Sequence, residues 1–158
     1  MKERYRAVAG RIRQELKEID QVANRTLLIW KKAAVSNDDY YIDATALNLH
    51  GFYAGLERIF ELIADAIDQS KPSGIHWHQE LLRQMAAEIA NTRPPVISVV
   101  VRDKLNNYRG FRHVVRNVYT YHLDPQQMDV LVKQLPALLS DISQELNAFV
   151  SFLEQLSQ

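Results

Sequence analysis

The sequence predicts an all-α fold, an up-and-down helical bundle of four to five helices in one domain over residues 1–158. Three observations predict it. Apolar residues recur at steps of three and four along most of the chain, the period of an amphipathic helix. Pro72, Gly74, Pro94, Pro95 and Pro125 fall between the patterned stretches, so the joints are short. One run is rich in β-branched residues, Val96 to Val101, and no partner strand is visible for it.

The first helix carries Val8, Ile12, Leu16, Ile19, Val22, Leu27 and Trp30. Ser36-Asn37-Asp38-Asp39 then offers capping oxygens and first-turn acids to the second. That helix runs through Ile42, Leu49, Phe52, Tyr53, Leu56, Ile59, Phe60, Ile63 and Ile67. Gly51 and Gly55 lie inside it, and each costs roughly 1 kcal/mol relative to alanine, so a close helix contact is expected there. Gln69 to Gly74 is a loop. A short third helix carries Trp77, Leu81, Leu82, Met85 and Ile89, and Arg93-Pro94-Pro95 stops it. The fourth element is read as helix from Val96 through Leu105, Tyr108, Phe111, Val115 and Val118. Asp124-Pro125 opens the last helix as cap and first-turn proline. Its apolar face runs from Met128 to Leu153, with a kink or break expected at Pro136.

Composition removes several function classes. The chain has no cysteine, which excludes disulfides, thiolate metal sites and a cysteine nucleophile. The first residues are charged and amphipathic, so neither a signal peptide nor a membrane span is expected, and a cytoplasmic location follows by default. Formal net charge is zero, so any nucleic-acid role must rest on a local patch. No phosphate-binding glycine loop and no Glu-x-x-His pair occurs, and no cofactor is expected.

Such a patch exists. Arg102 to His122 holds five Lys or Arg residues and one acid, Asp103. At about 100° per residue, Arg112, Arg116 and Tyr119 fall on one side of a helix, with Arg109 and His113 flanking them. Arginines beside imidazole and phenol can hold a phosphodiester and move protons. The same pattern also fits a solvated or ion-paired helix face.

Several stretches resemble the HEPN ribonuclease-toxin superfamily, and its HepT-like members most. They are Phe52-Tyr53-Ala54-Gly55-Leu56-Glu57-Arg58-Ile59-Phe60, Trp77-His78-Gln79-Glu80-Leu81-Leu82, Arg93-Pro94-Pro95-Val96-Ile97-Ser98 and Phe111-Arg112-His113. The superfamily's motif is an Arg, often a polar residue, then a His four to six residues on, extended in HepT-like proteins to Arg-x4-His-x-Tyr. This chain fits in two ways. Arg112-His113-Val114-Val115-Arg116-Asn117-Val118-Tyr119 supplies the arginine, the polar follower and the tyrosine, but Asn117 occupies the histidine slot. Alternatively Arg116-Asn117 is followed by His122, with no tyrosine two positions later. In the first alignment the usual acid/base is missing, because asparagine cannot transfer a proton near neutral pH.

The resemblance implies the toxin half of a toxin–antitoxin pair of the type VII kind, a metal-independent RNA endonuclease acting on tRNA or mRNA. It implies Arg112, Arg116, Asn117 and His122 as the catalytic set and Arg109 and His113 as substrate-binding residues. It also implies a homodimer with motif helices face to face, and a partner, a minimal nucleotidyltransferase that silences the toxin by adding AMP to Tyr119. The alternative is a catalytically degenerate helical protein that binds RNA or a nucleotidyltransferase without cleavage, kept open by Asn117. A third is a structural bundle that self-associates through Leu-rich helices. Of the other histidines, His50 reads as buried or partly buried and hydrogen-bonded. His76 and His78 flank Trp77, and positions two apart on a helix face away from each other, so no metal site is expected there.

Overall fold

The computed structural model describes all of residues 1–158. Five α-helices follow one another without a strand: α1 (Lys2–Val35), α2 (Tyr40–Ile63), α3 (Trp77–Met85), α4 (Val99–Asn117) and α5 (Pro125–Leu156). The all-α expectation is therefore met. The three-and-four spacing points inward along the helices, with Val118 left exposed beyond the end of α4, and 35 buried apolar residues form one core cluster. No helix is long and apolar enough to cross a membrane.

Specific pairs set the helix directions. α1 and α2 are antiparallel, since Arg58 donates to Glu15 Oε1 from Nη2 at 2.8 Å and from Nε at 3.1 Å, and Gly51 faces Val22. α5 is antiparallel to α1, with Trp30 Nε1 donating to Asp129 Oδ1 at 3.0 Å and Arg13 paired with Glu154. α4 is antiparallel to α5: the Tyr108 hydroxyl donates to the Leu131 carbonyl at 2.6 Å, and Ser98 Oγ donates to Glu145 Oε2 at 2.9 Å. It follows that α2 and α4 run in opposite directions side by side.

Gly55 explains how closely α1 and α2 approach. A Cβ there would stand 2.8 Å from Ile19 Cγ1. The expected close contact is real at this position, whereas a Cβ at Gly51 would meet Val22 at an ordinary 3.7 Å. Gly55→Ala should therefore destabilise by about 1–3 kcal/mol through overpacking. Gly51→Ala should be neutral or stabilising by up to about 1 kcal/mol, the helix-propensity gain. Urea midpoints of the two variants check this, and equal losses would contradict it.

The helices depart from expectation in four places, three of them at helix ends. α2 does not run on to Ile67 as α-helix. It loosens into a π-helical turn, Ala64–Asp68, closed by Gln69 in the left-handed region (φ 54°). α3 stops at Met85 rather than Ile89, and a tight turn with Asn91 at φ 61° pairs Ile89 with Arg93. α4 starts at Val99, not Val96. Val96 N–H and Ile97 N–H both donate to the Met85 carbonyl in a bend, and extended Ser98 caps the helix, its Oγ accepting from Val101 N–H. The β-branched run thus straddles a boundary, a bend before Ser98 and helix after it. Finally, α5 is not broken at Pro136. The residue lies on the solvent face, and Leu135 and Leu138 on either side are fully buried and hold the helix through it.

Candidate active site

The joint between α3 and α4 is anchored by a buried ion pair. Arg93 and Asp68 both have fully inaccessible side chains. Arg93 Nε donates to Asp68 Oδ1 at 2.6 Å and Nη2 to Oδ2 at 2.8 Å. The remaining donors reach the carbonyls of Gln84, Ala87 and Pro94. All five guanidinium N–H groups are thereby used. The π-helical turn presents Asp68, and the pair locks α3 to the end of α2.

This places α3 across the polar stripe shared by α2 and α4. A groove of about 240 Å³ is lined by His78 from α3 and by Arg109, Arg112, His113, Arg116 and Asn117 from α4. Residues 109, 112, 113 and 116 are three and four apart, so one helix face delivers them together. Their neighbours on α2 are His50, Tyr53 and Glu57, also three and four apart. Glu57 is the unusual member: its side chain is only 6% exposed, yet it carries a carboxylate. His78 Nδ1 lies 2.7 Å from Glu57 Oε2, and Arg112 Nη2 is 4.0 Å from Glu57 Oε1. Trp77 covers His78 with ring centroids 3.7 Å apart. Arg112 Nε is shielded from solvent and has no hydrogen-bond partner.

Electrostatics follow this layout. The Tyr53 phenol is pushed up, first by burial and then by the Glu57 charge, against the opposing pull of Arg109 and Arg112. The His50 imidazole is held below its ordinary 6.5, first by burial, then by the positive charges of Arg112 and Arg116, with Glu57 opposing. His50 is half-buried as expected, but makes no side-chain hydrogen bond; its environment is the arginine field. Its neutral form is favoured in the fold. The associated stability is therefore complete above pH 6.5 and is lost as pH falls through the lowered folded value. Between pH 7 and pH 5 the wild type should lose more thermal stability than His50→Gln. Parallel melting curves for the two would contradict this.

The structure brings together five of the residues singled out in the sequence: Arg109, Arg112, His113, Arg116 and Asn117. Two do not join them, a correction to the helical placement. α4 ends at Asn117, whose Nδ2 donates back to the His113 carbonyl at 2.6 Å, and Val118 is extended. Tyr119 therefore leaves the helix, and Thr120–His122 forms a 3₁₀ turn that leads to buried Leu123. Leu123 precedes Asp124-Pro125 and is extended (φ −67°, ψ 139°), and Asp124 caps α5 by accepting from Gln126 N–H. Tyr119 and Tyr121 stack at 5.7 Å with planes 8° apart, both exposed, and His122 packs on Tyr121 at 4.3 Å rather than lining the groove. His78 and Glu57 were not assigned from sequence. The available signal was Glu57 itself, a carboxylate on the apolar stripe between Tyr53 and Phe60, which a buried partner must balance. Arg58 beside it turns away to Glu15.

No curated protein and no solved structure matches the chain. A family model does, that of the HepT-like protein, over residues 44–153. The match takes in α2 after its first turn, all of α3 and α4, and all but the last turn of α5. It includes every groove residue, and this chain is a member of the HepT-like protein family, within the HEPN superfamily.

Proposed function

We propose that this protein is a metal-independent RNA endonuclease, the toxin component of a cytoplasmic toxin–antitoxin pair, with its active site in the α4 groove. The observation that carries the reading is the convergence of Arg109, Arg112 and Arg116 on one groove that also holds imidazoles. Planar guanidinium groups suit a phosphodiester, and Arg112 is not tied up in a close ion pair: its nearest carboxylate, Glu57, is 4.0 Å away. An RNA 2′-hydroxyl would attack the adjacent phosphorus while the arginines stabilise the charge that builds on the phosphate oxygens. Two copies with α4 faces opposed would give the homodimer its shared cleft.

The test is a labelled oligoribonucleotide in EDTA. Expected products carry a 2′,3′-cyclic phosphate and a 5′-hydroxyl, and a 2′-deoxy substitution at the cut site blocks them. A second reading, RNA or nucleotidyltransferase binding without cleavage, is favoured by Asn117 in the motif's histidine slot. Salt-sensitive RNA binding with no products would support it over the first.

Silencing would proceed by AMP transfer to Tyr119. At 72% exposed, this phenol is within reach of a transferase. The added phosphate would bring negative charge and bulk beside the arginine groove. Incubation with the nucleotidyltransferase partner and ATP should add one AMP to Tyr119. Tyr121, 78% exposed and stacked on it, is the competing acceptor. Peptide mass spectrometry decides, and AMP on Tyr121 with Tyr119 untouched would refute the assignment.

A further inference from the structure

We propose that His78 and Glu57 form the proton-transfer pair of the groove, with His78 Nε2 as the base for the ribose 2′-hydroxyl and Glu57 as its positioning residue. The proposal rests on the RNA-cleavage reading above and supplies what Asn117 cannot.

Geometry carries it. With Glu57 as the acceptor, the 2.7 Å contact has His78 Nδ1–H donating to Glu57 Oε2. The neutral ring then keeps a lone pair on Nε2. His78 is 25% exposed and lines the groove opposite the arginines, so this nitrogen belongs to a ring that a bound phosphodiester can meet. The Trp77 ring packs on the imidazole, with centroids 3.7 Å apart. Glu57 is fixed in the core, where its carboxylate accepts from His78 and faces the Arg112 guanidinium at 4.0 Å. A buried carboxylate that orients one imidazole nitrogen and leaves the other at a reaction site is the general arrangement for a base acting near neutral pH.

The other imidazoles lack this arrangement. His113 is exposed, and its Nδ1 has only Asn117 Nδ2 at 3.4 Å. His50 has no hydrogen-bonded carboxylate. His122 packs on Tyr121, and His76 is exposed at the start of α3. The charged groups facing His78 are Glu57 from α2 and Arg109, Arg112, His113 and Arg116 from α4. The cations hold the phosphate, and Glu57 supports the imidazolium that forms.

The step balances as a transesterification. His78 Nε2 takes the proton of the 2′-hydroxyl as its oxygen bonds to phosphorus. The bond from phosphorus to the 5′-oxygen breaks, and that oxygen takes a proton from water. The imidazolium returns its proton to solvent.

The experiment compares wild type, His78→Gln and Glu57→Gln on a labelled oligoribonucleotide in EDTA from pH 5 to 9. Binding is measured in parallel on the 2′-O-methyl version, which cannot be cut. His78→Gln should lose at least about 10²-fold in cleavage rate and the acid limb of its pH profile, with binding changed less than about threefold. Glu57→Gln should lose less, again with binding changed less than about threefold, because the ring keeps its place in the groove but loses the acceptor that orients it. A His78→Gln protein that cuts at the wild-type rate overturns the pair and leaves the cleavage reading standing. A wild type that binds but does not cut overturns both. Should His78→Gln not fold, imidazole ¹⁵N spectra of the wild type decide: the Nδ1–H tautomer, with Nε2 shifting on addition of the 2′-O-methyl oligomer, is expected. The Nε2–H tautomer overturns the proposal.

Discussion

Arg112→Ala should cut RNA roughly 10²–10³ times more slowly than wild type, the cost of losing one preorganised donor to a developing charge, about 2.7–4 kcal/mol. Arg112 is placed for this more firmly than its neighbours. It is half-buried against Glu57, whereas Arg116 is exposed at the end of α4. Arg116→Ala should therefore lose activity too, but less steeply. The same series separates the two ways of laying the motif on the sequence. If the histidine slot falls at Asn117, His122→Ala should matter little, because His122 packs on Tyr121 away from the groove lining. If His122 is the proton carrier, its loss should rival that of Arg112. Cleavage rates from a single labelled substrate, with melting curves to exclude unfolding, make the comparison. A folded Arg112→Ala protein within threefold of wild type would contradict the assignment.

Asp68→Ala should destabilise the fold by about 3–5 kcal/mol, because it leaves Arg93 charged and buried without its partner. In a protein of marginal stability that is a large share of the total. A buried ion pair can often be exchanged for apolar residues at little cost. Here the exchange should fail. Arg93 also satisfies the carbonyls of Gln84, Ala87 and Pro94, so an Asp68→Leu, Arg93→Met double variant would leave those acceptors unpaired. Urea unfolding should show the double variant still well below wild type, and recovery to the wild-type midpoint would contradict this view. The pair also bears on function. It sets where α3 lies, and α3 carries His78.

Much of this architecture was legible in the sequence because burial in a bundle is periodic. Leu49, Phe52, Leu56 and Phe60 on α2 and Leu105, Tyr108 and Phe111 on α4 face the core as their spacing requires. Helix termini were less legible. The run Val96 to Val101 has one composition but two conformations, divided where Ser98 caps α4. Tyr119 continues the helical spacing of Arg112 and Arg116, yet the chain has already left the helix at Asn117. Local pattern cannot show that, since the link to Asp124-Pro125 and the buried Leu123 decide it. The α4 half of the groove was visible as a charge cluster. The half from α2 and α3 was not, because His78 and Glu57 meet across 21 positions of sequence through the docking of α3. Only the misplaced charge of Glu57 hinted at a partner.

The central claim is that the α4 groove is the RNA site, and it can be tested without any cleavage. Backbone and side-chain NMR shifts should be followed as an uncleavable 2′-O-methyl oligoribonucleotide is added to the labelled protein. The largest changes should fall on the guanidinium groups of Arg109, Arg112 and Arg116, the Asn117 amide and the His78 ring. Shifts confined to another surface, such as the hollow between Tyr40, Asp43 and Tyr121, with the arginine resonances unmoved, would contradict it.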